Sequence, residues 1–179
     1  MSEPIGGRNV VAGTAPKPPR IEPGPGQESV WDYPRPPRVE PVPERLRVVV
    51  DGELLAETSR GQRVLETAGP PVYYFPPDDV DFDRLERSPH WSVCEWKGEA
   101  AYHSYAAGGR RIENVAWAYR NPNPGYEAIR DHLAFYAGRV DEAWVGDERA
   151  TPQAGRFYGG WITSRIVGPF KGEPGTQGW

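Results

Sequence analysis

From Leu46 onward the chain alternates short apolar runs with turn residues, and most runs are too short for helices. Leu46–Val50 is apolar and β-branched and runs into Asp51-Gly52, a hairpin turn signal from which residues 54–58 return. Residues 62–67 and Val72–Phe75 predict two more strands, separated by Gly69-Pro70-Pro71 and stopped by Pro76-Pro77. Asp78 or Asp79 can cap a short helix to Arg87 that carries Val80, Phe82 and Leu85, with Ser88-Pro89 ending it. Residues 91–96, 99–105 and 111–119 read as consecutive antiparallel strands joined through Lys97-Gly98 and Ala106-Ala107-Gly108-Gly109. Beyond the loop Asn121-Pro122-Asn123-Pro124-Gly125, Tyr126, Ile129 and Leu133 mark one face of a second short helix. Residues 141–145 predict a late strand that turns at Gly146-Asp147. Strand following strand, with no long helix between, implies antiparallel pairing. The predicted fold is mainly β: an antiparallel sandwich or open barrel with two or three short helices.

The first 45 residues are different material. They hold 11 of the 21 prolines, and each proline removes a backbone donor and fixes φ, so neither helix nor ladder propagates. Residues 1–27 are expected to be extended and mobile, with polyproline character. Residues 29–38 contain Trp31 and Tyr33 in a proline-stiffened segment that loses little entropy on docking, so they are expected to pack on the body. The chain therefore divides into a proline-rich extension (1–45), a β domain (46–148) and an irregular, aromatic C-terminal wrap (149–179).

Composition narrows the function. With 21 Lys+Arg against 25 Asp+Glu the net charge is −4, which excludes a broad cationic footprint for duplex nucleic acid. The single Cys, Cys94, excludes an intrachain disulfide and a cysteine-cluster zinc site. No apolar run approaches a membrane span, and the first 20 residues lack the apolar centre of a signal peptide, so a cytoplasmic protein without membrane partners is expected. His90, His103 and His132 stand alone, so no metal site is expected, and no phosphate-binding glycine motif occurs, so the standard nucleotide cradles are absent and any cofactor is left unknown.

The densest polar and aromatic segment is residues 94–103, Cys-Glu-Trp-Lys-Gly-Glu-Ala-Ala-Tyr-His. A tight turn at Lys97-Gly98 would bring the Cys94 and Tyr102 strands side by side and project Lys97 at the rim. An ammonium beside a thiol favours thiolate, which makes Cys94 a candidate nucleophile, although a lone Cys in a strand also serves as a small hydrophobe. Lys97 is a candidate catalytic or anion-binding group, or a structural turn residue. The next strand joins through a short glycine-rich connector, so Trp117 is expected beside Tyr102 if the hairpin has no bulge. Asn114 could fix a ligand or satisfy a neighbouring backbone group. The expected ligand-binding set is Tyr73, Lys97, Tyr102, Asn114 and Trp117.

Several motifs, in order, carry a family likeness: Arg63-Val64-Leu65-Glu66-Thr67, Pro70-Pro71-Val72-Tyr73-Tyr74-Phe75-Pro76, Cys94 to Tyr102, Asn114-Val115-Ala116-Trp117-Ala118-Tyr119, Phe135-Tyr136 and Arg139-Val140-Asp141. Over roughly residues 46 to 148 the chain resembles the domain-of-unknown-function 427 family. Trp31-Asp32-Tyr33-Pro34 and Phe157-Tyr158-Gly159-Gly160-Trp161 resemble a longer subgroup found in bacteria and plants. The resemblance implies a small, cytosolic, mostly β protein, and the family is sometimes labelled a nucleotidyltransferase. Ala68-Gly69 stands where many relatives carry Ser-His, so chemistry assigned to that His does not carry over. Three functions are then in contention. The first is a domain that binds a small anionic or carbonyl-bearing ligand near Lys97. The second is a nucleotidyltransferase-like enzyme, which needs a Mg²⁺-binding carboxylate pair. The third is a protein-interaction module built on the arm and exposed aromatics.

Overall fold

The computed structural model describes residues 16–179; residues 1–15, most of the segment expected to be mobile, lie outside the described residues. In chain order the strands are β1 (Glu28–Ser29), β2 (Arg38–Pro41), β3 (Leu46–Val50), β4 (Glu53–Thr58), β5 (Gln62–Leu65), β6 (Val72–Phe75), β7 (Leu85–Cys94), β8 (Gly98–Ala107), β9 (Arg110–Ala118), β10 (Leu133–Phe135), β11 (Glu142–Val145), β12 (Glu148–Arg149), β13 (Thr151–Pro152), β14 (Trp161–Ile162) and β15 (Ile166–Val167). Seven of them form one sheet in the order β2-β5-β6-β10-β9-β8-β7, and four form a second in the order β12-β11-β3-β4. Both are antiparallel throughout, and neither closes on itself. The architecture is a sandwich of two open sheets rather than a barrel.

Alternation explains the packing. Leu46, Val48 and Val50 of β3 point inward and are buried, and Asp51 and Gly52, with φ of 56° and 74°, turn the chain back into β4. Their partners on the large sheet are Tyr73, Phe75, Leu133 and Phe135, so a continuous apolar core fills the space between sheets. Trp161 of β14 completes it. Its side chain is fully buried, its ring lies 5.2 Å from Tyr73, and its Nε1 donates to the Phe135 carbonyl at 2.8 Å.

The two or three predicted short helices are absent: no α-helix occurs among the described residues. Single 3-10 turns stand at Pro77–Asp79, Phe82–Arg84 and Glu127–Ile129, with a fourth at Val30–Asp32. Asp81 accepts a bond from the Asp83 amide and caps one turn, but Val80, Phe82 and Leu85 give too thin a stripe to hold a helix on the core. From Leu85 the chain is extended through Ser88-Pro89. Proline is tolerated there because β7 is an edge strand, and its pairing with β8 is irregular between Arg87 and Trp91. In the second case Leu133 enters β10 instead of continuing past Ile129. Among the described residues no helix is long and apolar enough to cross a membrane.

Arm and tail meet over the β5–β6 connection. Thr67 donates to the Tyr33 carbonyl at 2.6 Å, and Trp31 Nε1 donates to the Pro169 carbonyl at 2.9 Å. Val30, Tyr33, Leu65 and Ile166 form a third apolar cluster, and β1 pairs in parallel with β15. The seven-stranded sheet takes its edge strand β2 from ahead of residue 46, and Arg63 on β5 pairs there with Glu28 and Glu40.

Candidate functional site

The outer face of the large sheet, turned away from the four-stranded one, is aromatic. Register places Tyr74 of β6 opposite Ala134 of β10, Ala134 opposite Trp117 of β9, and Trp117 opposite Tyr102 of β8. This is one row across four strands, and the small Ala134 within it leaves room above the sheet. The Tyr74 and Trp117 rings meet edge-on across that gap at 6.4 Å and 82°. Tyr136, just beyond β10, lies 4.6 Å from the Trp117 ring. These side chains floor a cavity of about 410 Å³.

One wall is the end of the β7–β8 hairpin. β7 stops at Cys94 and β8 starts at Gly98, whose φ of 101° is accessible mainly to glycine. Asn123 clamps the intervening turn: its backbone amide donates to the Lys97 carbonyl at 3.0 Å and its Nδ2 to the Trp96 carbonyl at 3.0 Å. The clamp sends the Lys97 side chain over the sheet, where Nζ sits 5.8 Å from the centre of the Tyr119 ring. Lys97 is only 9% exposed, yet among the described residues no carboxylate pairs with it and Nζ makes no hydrogen bond. The buried indole N–H of Trp96, in the same wall, also lacks an acceptor among them.

The roof is the C-terminal strap. Gly159 lies so close to Trp117 that a Cβ there would be 2.1 Å from the indole ring. Tyr136 donates to the Phe157 carbonyl at 3.4 Å, and Arg139 stacks on the Tyr136 ring at 3.9 Å while donating to the Arg156 carbonyl. Lys171 brings a second ammonium, 5.3 Å from the Tyr158 ring centre, which donates to the main-chain oxygen of Trp179 at 3.3 Å. Of the carboxylates on the lining, Glu66 is held by Arg35 at 3.3 Å and Glu95 is exposed. Burial pushes the phenols of Tyr74, Tyr119 and Tyr136 up, so they face the cavity as neutral groups. Tyr102 shares a 2.9 Å hydrogen bond with Ser92.

Four of the expected site residues, Cys94, Lys97, Tyr102 and Trp117, meet in this cavity. The Trp117–Tyr102 register survives because the ladder irregularity falls one step further on, between His103 and Tyr105. Two expected residues lie elsewhere. Tyr73 points the opposite way, into the core against Trp161, with burial pushing its phenol up to about 12; alternation along β6 gives its neighbour Tyr74 the cavity position. Asn114 adopts a left-handed φ of 50° and lines a neighbouring cavity of about 460 Å³, on the far side of Tyr136 and Gly159. Its backbone amide donates to Ser104 Oγ at 3.0 Å, and beside this bulge Val115 joins the core, on the opposite face from Trp117.

Sequence reasoning missed Tyr74, Tyr119, Tyr136 and Lys171. One signal was available for Lys171: the 21 Lys+Arg residues include only three lysines, Lys17, Lys97 and Lys171, and two of the three line this cavity. Among the described residues no three His, Cys, Asp or Glu side chains gather as a metal-holding group.

No curated protein matches the chain. A family model described as "Domain of unknown function (DUF427)", with the label NTP_transf_9, matches residues 38–146. That span begins at β2, covers the aromatic row and the Lys97 hairpin, and stops short of the strap. With more than half of its length under the match, the chain belongs to the domain-of-unknown-function 427 family.

Proposed function

We propose that the protein binds a small anionic or carbonyl-bearing ligand in the cavity at Lys97. The observation that carries this reading is Lys97: its side chain is largely buried, its ammonium pairs with no carboxylate among the described residues, and it faces about 410 Å³ of aromatic-lined space. An ammonium packed among aromatic rings with no counter-charge beside it is suited to an acceptor that a ligand supplies. A concave apolar site with a few convergent polar donors is the usual form of a small-molecule pocket. The strap over the aromatic face favours an enclosed ligand over an open protein-interaction surface. The label NTP_transf_9 suggests nucleotide transfer. That chemistry needs carboxylates to hold a divalent cation, whereas on this lining Glu66 is held by Arg35 and Glu95 stands without a second carboxylate beside it.

A thermal-shift screen of aromatic and aliphatic carboxylates and 2-oxo acids tests the reading. Compounds that stabilise the wild type should lose at least several-fold in affinity with Lys97→Met, while the unliganded variant melts close to the wild type. If Lys97→Met unfolds the protein and leaves affinity per folded molecule intact, Lys97 is structural and the proposal is wrong.

A further inference from the structure

We infer that the ligand carries a flat aromatic ring and a separate anionic group, and that the anionic group is taken in an annex whose second cation, Lys171, comes from the C-terminal strap. The inference rests on the Lys97 reading above and extends it to residues outside the family match.

The annex is a hollow of about 90 Å³ beside the main cavity. The two spaces share Glu66, Val72, Lys97, Tyr158, Gly159 and Lys171 on their linings. Their chemistry differs. The main cavity presents the rings of Tyr74, Trp117 and Tyr119, which suit a flat apolar body. The annex presents Arg35, Lys97 and Lys171 against a single carboxylate, Glu66. Arg35 and Glu66 pair at 3.3 Å and offset one another, which leaves Lys97, with no partner among the described residues, and Lys171, which donates to the main-chain oxygen of Trp179. An ammonium has three donors. Among the described residues Lys171 uses one, on the main-chain oxygen of Trp179, and Lys97 uses none. Free donors therefore converge on a space with room for a small cluster of waters, which matches a carboxylate or a phosphate and is too small for a ring. Lys97 stands at the junction, over Tyr119, where it reaches both parts of such a ligand.

The anionic group could belong to an aromatic carboxylate or to the phosphate of a nucleotide, and calorimetry on the full chain separates them. The probes are 2-naphthylacetate with its neutral isostere 2-naphthylacetamide, and AMP with adenosine. In each pair, the anion should bind the wild type about tenfold or more tighter than the neutral compound, the scale of one charge-assisted contact. The pair showing the tighter anion identifies the source. Lys171→Met should weaken the preferred anion by about tenfold and leave its neutral counterpart unchanged; Lys171→Arg should restore most of the loss. Melting curves confirm that both variants are folded. If Lys97→Met weakens the anion but Lys171→Met does not, the annex is wrong and the Lys97 reading stands. If neither substitution matters, both fall. A wild type that prefers neither anion over its neutral partner overturns the inference directly.

Discussion

The two faces of the seven-stranded sheet are built from the same strands by alternation, yet they are different materials. Tyr73 and Tyr74 are adjacent in β6; one is sealed in the core against Trp161 and the other floors the cavity. The inner face uses Phe75, Leu133, Phe135 and aliphatic residues, packed against the small sheet. The outer face uses Tyr74, Tyr102, Trp117, Tyr119 and Tyr136, each an apolar ring with a polar tip, and its cover is an irregular strap that leaves a hollow. A face meant only for stability would be filled. The difference teaches that the inner face holds the fold, while the outer face leaves the open space on which the ligand proposal rests.

Substitutions should sort by face. The largest loss is expected inside. Trp161→Ala removes a fully buried indole and its hydrogen bond and should cost about 3–5 kcal/mol in chemical denaturation, within range of unfolding a domain this size. A smaller loss on the outer face would support the comparison. Gly159→Ala forces a Cβ into the Trp117 ring and should cost about 1–3 kcal/mol through overpacking, and it should raise cleavage of the strap in limited proteolysis. An unchanged melting point and digestion pattern would mean that the strap does not rest on Trp117.

A third effect depends on pH. His103 neighbours Tyr102 on β8. Its Nδ1 is buried without a partner among the described residues, and burial, reinforced by Arg120 and Arg87, lowers its pKa from 6.5. Its folded form therefore binds a proton less readily than its unfolded form. The stability this contributes is complete above about pH 6.5, and it is lost as pH falls through 6.5 toward the lower folded value. His103→Gln should flatten the loss of stability between neutral and mildly acid pH; an unaltered slope would remove His103 as its source. The smallest effect is expected at the site. Lys97→Met should leave the denaturation midpoint close to that of the wild type, because among the described residues the ammonium makes no hydrogen bond or ion pair that the fold would lose. A marked fall would move Lys97 from the ligand face to the scaffold.

What could be read from the sequence follows the range of the interactions. The hairpins did: Asp51-Gly52, Lys97-Gly98 and the Gly108-Gly109 connector join neighbouring strands, so Cys94, Lys97, Tyr102 and Trp117 could be brought together from local order alone. Non-local pairing did not. β10 inserts between β6 and β9, which puts Tyr74 and Tyr136 beside Trp117, and no local pattern announces that step. The parity of β6 was misjudged for the same reason, because which face is inner depends on where the small sheet packs. The supposed helices failed because strand pairing and core contacts claimed Leu85 and Leu133.

The central claim, that Lys97 and Lys171 face one ligand cavity, is open to a direct measurement because the chain has only three lysines. Protein labelled with ¹³C-lysine gives three ε-methylene signals, assignable by single Lys→Arg substitutions, to be followed while 2-naphthylacetate or AMP is added. The account predicts that the Lys97 and Lys171 signals shift together and saturate at one ligand concentration while Lys17 stays still. Equal, unsaturable shifts of all three lysines, or no shift at Lys97 with either compound, would contradict it.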